Sequence, residues 1–288
     1  MNLTRRNFIG ATALGVAAGV PLLGGKGLRG LKIGVTDWNL HQTAKPEAVE
    51  LARRLGFQGV EVSLGMKIED NKLPLDNPEL QARYVAEFKK QGIGPAGTCL
   101  DALHRNYLKN DKLGQKWVAD GIRISKALGA KVMLLPFFGK GALTTTQEMD
   151  YVGDVLRDLA QQAESAGVTL GLEDTISAAD NVRIMDRVRS KALKVYYDIG
   201  NSTGGGFDVP REIEWLGAKR ICQFHFKDNP NYLGEGKVKF RESLEAISKL
   251  GFEGFANLET DSPSKNLEAD MKRNLTYTRK LIGEIEQG

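Results

Sequence analysis

Four residues of this sequence are of types that together bind a divalent cation, and each closes a short apolar run. Leu170-Gly171-Leu172-Glu173, Val195-Tyr196-Tyr197-Asp198, Cys222-Gln223-Phe224-His225 and Ala256-Asn257-Leu258-Glu259 read as strands ending on a carboxylate or an imidazole. Side chains alternate along a strand, so Glu173, Asp198, His225 and Glu259 share one face. Leu172, Tyr197, Phe224 and Leu258 share the other, with Cys222 and Phe226 expected beside Phe224. Taken alone, His225 reads first as a core histidine hydrogen-bonded to a neighbouring strand. Three other runs ending the same way turn it into a ligand. Burying three carboxylates together is unfavourable unless protons or a cation offset their charge. Oxygen-rich ligation with one imidazole favours Mn²⁺ or Mg²⁺, with Co²⁺ or Zn²⁺ as alternatives, one ion per chain.

Strand-like runs alternate with helix-like ones along the chain, the pattern of βαβ units and a parallel sheet. Strands are expected over 32–40, 59–63, 95–100 and 131–138, before the four that end at Glu173, Asp198, His225 and Glu259. Helices are expected from Pro46, from Pro78 to about Gln91, and over 115–128, with Gly129 as its stop. A longer one follows to 166, stopped by Gly167, and then 178–189, 209–216, 240–250 and 267–285. About eight βα units in roughly 250 residues is the size and count of a (β/α)8 TIM barrel. A doubly wound sheet is the rival, but Asp37-Trp38-Asn39-Leu40 after the first strand is not a glycine-rich phosphate turn. In a TIM barrel the chemistry lies at the C-terminal ends of the strands, where all four candidate ligands stand.

With 288 residues, 41% of them hydrophobic, the chain can bury one large core. Its net charge of +4 comes from 40 basic and 36 acidic residues without a long basic run, which does not suggest a nucleic-acid binder. Cys99 and Cys222 read as buried thiols. Residues 1–28 read as a leader: Thr4-Arg5-Arg6-Asn7-Phe8-Ile9-Gly10 and an Ala/Gly/Val/Leu stretch resemble a twin-arginine export signal. That resemblance implies passage through the Tat machinery in the folded state and a periplasmic location. No clean small-residue cleavage site precedes Gly24-Gly25-Lys26, so removal and retention as an anchor both stay open. Residues 29–288 read as a single catalytic domain.

The motifs Leu172-Glu173, Tyr197-Asp198-Ile199-Gly200-Asn201, His225-Phe226-Lys227-Asp228, Gly234-Glu235-Gly236 and Leu258-Glu259-Thr260, in this order and spacing, resemble those of the xylose isomerase-like TIM barrels. This is the sugar isomerase and epimerase superfamily that includes ketose 3-epimerases, pentulose-phosphate 3-epimerases and inosose dehydratases. The resemblance covers essentially the whole chain after the leader. It implies metal binding by Glu173, Asp198, His225 and Glu259, with Glu173 and Glu259 also acting as acid and base on a small sugar or keto-sugar. The chain departs from the ketose 3-epimerases in having Asn201 where they usually carry a histidine, and Lys227-Asp228 after the metal histidine. Homo-oligomers are common in the superfamily, and no interface stripe is readable here.

Around the ligands, Glu61 reads as a substrate-binding or ligand-orienting carboxylate, or as half of a structural salt bridge. Lys227 reads as a contact to a substrate hydroxyl or phosphate, or as a partner of Asp228 or Glu259. His41 and His104, in loops beyond strands one and three, are candidates for substrate contact or solvated loop histidines. Trp38 is a candidate to stack on a sugar or to pack in the core. The leading function is metal-dependent epimerisation or isomerisation through an enediolate. The alternative is a lyase or hydrolase acting on a keto-sugar, keto-glycoside or inosose at the same site. Endonuclease chemistry on this barrel calls for a histidine-rich multi-zinc site, and the sequence has 3 histidines in all. A non-catalytic sugar-binding protein is the remaining alternative, and the complete ligand set argues against it.

Overall fold

The computed structural model describes residues 27–288. The export signal and linker expected at 1–28 lie outside them, apart from Gly27 and Leu28. Leu28 is buried in the core, and its N–H donates to Glu286 Oε1 near the C-terminus. No helix among the described residues is long and apolar enough to cross a membrane.

Eight parallel strands close on themselves: β1 (Leu31–Thr36), β2 (Gly59–Ser63), β3 (Gly94–Cys99), β4 (Val132–Pro136), β5 (Thr169–Glu173), β6 (Leu193–Asp198), β7 (Ile221–Phe226) and β8 (Gly254–Leu258). Each strand pairs with the next, and β8 returns to β1 with Val35 opposite Leu258. Around them lie α1 (Glu47–Leu55), α2 (Pro78–Gln91), α3 (Lys112–Leu128), α4 (Thr146–Ala166), α5 (Ala178–Val188), α6 (Ile199–Gly204), α7 (Val209–Leu216), α8 (Phe240–Leu250) and α9 (Leu267–Gln287). This is the expected (β/α)8 barrel. The first strand is shorter than expected, because Asp37–Leu40 turn away from it and Gln42 N–H donates back to the Asp37 carbonyl.

Local chemistry sets the helix ends. Asn77 Oδ1 accepts from the N–H groups of Glu79 and Leu80 ahead of Pro78, and Thr145 and Glu148 form a reciprocal capping box. Gly129 and Gly167 stop α3 and α4 in the left-handed region, with φ of 77° and 72°.

Outward-facing strand residues make the core beneath the helices. Phe224 is fully buried, with ring centroids 4.9 Å from Phe252 and 6.3 Å from Tyr197. Truncating such a ring costs about 3–5 kcal/mol. The inward face is smaller and more polar, and two bulges shape it. Between β6 and β7 the register steps from Val195↔Ile221 to Tyr196↔Gln223, leaving Cys222 as the extra residue. This corrects the expected alternation: Cys222 packs with Cys99, Leu134 and Tyr196 instead of sharing the helix face of Phe224. Both thiols are free, Cys99 buried and Cys222 partly so. Between β2 and β3, Ala96 is the extra residue, and its carbonyl accepts from Gln223 Nε2 across the barrel.

Candidate metal centre

At the C-terminal mouth of the barrel the four ends expected to converge do so. Glu173, Asp198, His225 and Glu259 each offer a ligand atom, and these atoms all lie within 4.8 Å of one another. His225 Nδ1 is 2.8 Å from Glu173 Oε1, 3.4 Å from Glu259 Oε2 and 3.7 Å from Asp198 Oδ2. Asp198 also caps α6, its Oδ1 accepting from the Asn201 N–H at 2.7 Å. Its other oxygen is ion-paired with the Lys227 ammonium at 2.8 Å. Three carboxylates and one imidazole nitrogen, all within 4.8 Å of one another, form a set that suits one divalent cation.

The far side of His225 is held from below. Glu61 Oε2 lies 2.8 Å from His225 Nε2 and accepts from Tyr196 Oη at 2.7 Å and Asn257 Nδ2 at 3.0 Å. Asn257 Nδ2 also donates to Tyr196 Oη. With the proton on Nε2 directed at Glu61, Nδ1 is left to face the carboxylates. Glu61 is fully buried under the histidine. It is not among the residues that line the cavity above, which suits the orienting role considered for it.

Electrostatics divides the two glutamates. Burial lifts the Glu173 carboxyl to about 8, and attraction to His225 only partly offsets it. Burial also acts on Glu259, but His225, Lys227 and the Trp38 indole outweigh it and hold that carboxyl at about 2. Burial presses the His225 pKa down, yet Glu259, Glu173 and Glu61 together raise it well above the ordinary histidine range. The Lys227 ammonium is likewise opposed by burial and kept charged by Asp198, Glu259 and Glu173. A dication among these carboxylates would stabilise their ionised forms and favour a neutral imidazole.

Above the cluster lies a cavity of about 340 Å³ whose walls include Trp38, Thr43, Met66, Asp101, His104, Phe138, Asn201 and Lys227. Glu173 and Glu259 line it, and Asp198 and His225 lie beneath. Trp38 does more than pack: its Nε1–H donates to Glu259 Oε1 at 3.1 Å. Lys227 pairs with Glu259 Oε2 at 2.6 Å and not with Asp228, whose carboxylate accepts backbone N–H groups of Gly236, Lys237 and Val238. Room for the Lys227 stem depends on Gly200, where an added Cβ would stand 2.5 Å from Lys227 Cγ. His104 lines the cavity and stacks on Phe138 at 6.3 Å. His41 does not reach it. Held at φ 56°, it lies in a separate surface depression with Glu47, Arg54 and Glu268.

Sequence reasoning missed the layer below the ligands, although a signal for part of it was present. Tyr196, Gln223 and Asn257 each precede a ligand by two residues and so share its face. It also missed Asp101, just past β3, which lines the cavity while its Oδ2 accepts from Ser63 Oγ at 2.7 Å.

The chain belongs to the xylose isomerase-like TIM barrels, whose family model matches residues 49–281. Epimerases are among the proteins it is similar to. Over 230 residues it is 26% identical to a 2-epi-5-epi-valiolone 7-phosphate 2-epimerase of Actinoplanes sp., covering 75% of this chain and 82% of the relative. The fold matches a D-psicose 3-epimerase from Clostridium cellulolyticum H10, solved with D-tagatose, at a TM-score of 0.72 and 16% identity over 87% of this chain and 99% of the other. A 3-keto-D-glucoside 4-epimerase from E. coli matches at 0.68 and 18% identity, over 87% and 99%.

Proposed function

We propose that this chain is a metal-dependent epimerase of an unphosphorylated keto-sugar, with Glu173 and Glu259 exchanging roles as acid and base. One observation carries this: of the four clustered side chains, only these two glutamates also line the cavity above. Glu173, Asp198, His225 and Glu259 would hold Mn²⁺ or Mg²⁺. Such a cation, when bound, polarises a substrate carbonyl and stabilises the negative charge of an enediolate. The chain's residues supply the proton transfers. Glu259, its oxygens fixed by Trp38 and Lys227, is held ionised and removes the proton of the carbon next to the carbonyl. Glu173, on β5, delivers a proton to the opposite face, and the reverse reaction exchanges these roles. Asn201 and His104 line the same cavity and are placed to bind hydroxyls.

Two observations favour an unphosphorylated substrate. Lys227 is the one lysine among the described cavity-lining residues, and it is already paired with two carboxylates. The resemblance of residues 1–28 to a twin-arginine signal further implies work in the periplasm, where sugar phosphates are scarce. Export should be lost when Arg5 and Arg6 are both replaced by lysine, and fractionation showing an unchanged periplasmic share would remove that argument.

Incubating the Mn²⁺-loaded protein with a panel of ketoses in D₂O tests the reaction. Deuterium appearing beside the carbonyl in a product of otherwise unchanged composition, and disappearing on chelation, is the expected result. A product that has lost water or an aglycone would reassign the site to a lyase or hydrolase. No exchange with any ketose at full metal occupancy would contradict the reading.

A further inference from the structure

A second cavity adjoins the site and is larger than it. It encloses about 600 Å³ between the β6–α6 turn and the loop after β7, against about 340 Å³ over the glutamates, and Asn201 and Lys227 line both. A monosaccharide placed over Glu173 and Glu259 leaves this chamber unused. Building on the epimerase reading, we propose that the substrate is a glycoside, a keto-sugar carrying a second polyhydroxylated group, and that the chamber holds this second group.

The chemistry of the walls selects the occupant. Asn201, Asn231 and Lys237 present amides and an ammonium, and the Thr203 hydroxyl, which donates to the Ile199 carbonyl at 2.7 Å, can still accept. The Asn201 and Asn231 side chains make no hydrogen bond to other described residues, so donors and acceptors remain for sugar hydroxyls. Asn229, by contrast, is engaged, its Oδ1 accepting from the Asp261 N–H and its Nδ2 donating to the Glu259 carbonyl. No aromatic ring lies among the described residues that line the chamber, so a planar aglycone finds no stacking surface. Nor is the chamber built for a phosphate. Lys227 is held by Asp198 and Glu259, which leaves Lys237, exposed on a loop, as the single lysine there without an ion pair among the described residues.

Gly204 gives a clean test, because it lines the chamber at the end of α6 and a Cβ there would meet nothing within 4 Å beyond its own helix. Gly204→Phe should obstruct the chamber from this wall, and Gly204 is not among the residues that line the cavity over the carboxylates. Binding is measured by calorimetry on the Mn²⁺-loaded protein with the methyl glycoside of a keto-glucose, the same keto-glucose linked to a second glucose, and a ketohexose phosphate. The disaccharide should bind about tenfold or more tightly than the methyl glycoside, the worth of one or two added hydrogen bonds. Gly204→Phe should erase that advantage and leave the methyl glycoside unchanged.

Equal affinities for the two glycosides, an advantage that survives Gly204→Phe, or binding of none of the probes would each overturn the proposal. So would tightest binding of the phosphate with dependence on Lys237, tested by Lys237→Ala. Binding needs no turnover, so deuterium exchange in the same samples reports separately on the epimerase reading.

Discussion

Replacing Glu61 by glutamine changes one buried atom and tests how His225 is aimed. Glu61 Oε2 faces three donors, at 2.7, 2.8 and 3.0 Å, whereas Oε1 is buried with none. A glutamine keeps the three by placing its carbonyl oxygen at the Oε2 position. Its amide nitrogen then stands at the Oε1 position without an acceptor, at a cost of about 1–3 kcal/mol. The three remaining bonds weaken because their acceptor is no longer charged, and relief of a buried charge offsets part of that loss. A net destabilisation of about 2 kcal/mol corresponds to a fall in Tm on the order of 4–8 °C for a domain of this size. The imidazole also loses the carboxylate that makes Nδ1 a better donor, which should weaken Mn²⁺ binding about 10–100-fold. Calorimetric titration with Mn²⁺, well below both melting temperatures, separates the effects, since a merely structural role would lower Tm and leave Kd in place. A Kd within about threefold of the wild type would refute the orienting role.

Saturation with Mn²⁺ at ~100 times its Kd should add about 2.7 kcal/mol of stability and raise Tm by several degrees. Thermal scans with and without chelator check this, and no shift would argue against the cluster as a metal site. Trp38→Phe removes the N–H that fixes Glu259 Oε1 and should slow deuterium exchange about tenfold, with Mn²⁺ affinity nearly unchanged. An unaltered exchange rate would show that the indole does not position the base. Asp174 is buried, and burial raises its carboxyl from 3.8 to about 7. Its protonated form is favoured in the fold, so this contribution to stability is fully present below pH 3.8 and is lost as pH rises through about 7. Over that window it amounts to at most ~4 kcal/mol. Asp174→Asn should therefore flatten the decline of Tm with pH, and parallel profiles for the two proteins would contradict it.

The ligand cluster was legible because each member closes its own strand at the same parity, and parity is a property of local sequence. Glu61 shows where that logic stops. It lies in a strand by the same pattern, yet strands in a barrel are tilted and staggered, so equal place in a strand is not equal height along the axis. Paired with Thr36 and opposite Gly97, Glu61 falls in the layer beneath His225. Cys222 changed face because of a bulge, which inserts one residue without any marker in the sequence around it. His41 follows strand one directly but lines a depression separate from the cavity over the carboxylates, in a loop shaped by Asp37, whose Oδ2 accepts from the N–H groups of Ala44 and Ser63. Such contacts between residues distant in sequence leave no periodic trace, and the chamber beside the site, assembled from the loops after β6 and β7, is illegible for the same reason.

The central claim is that two glutamates serve the two faces of one carbon. It is tested most directly by deuterium exchange of each epimer separately, with Glu173→Gln and Glu259→Gln at saturating Mn²⁺. Each variant should lose interconversion yet still exchange the hydrogen of one epimer, and the two variants should retain opposite epimers. Loss of exchange from both epimers in one variant, with full exchange from both in the other, would mean that a single base does the work and would contradict the account.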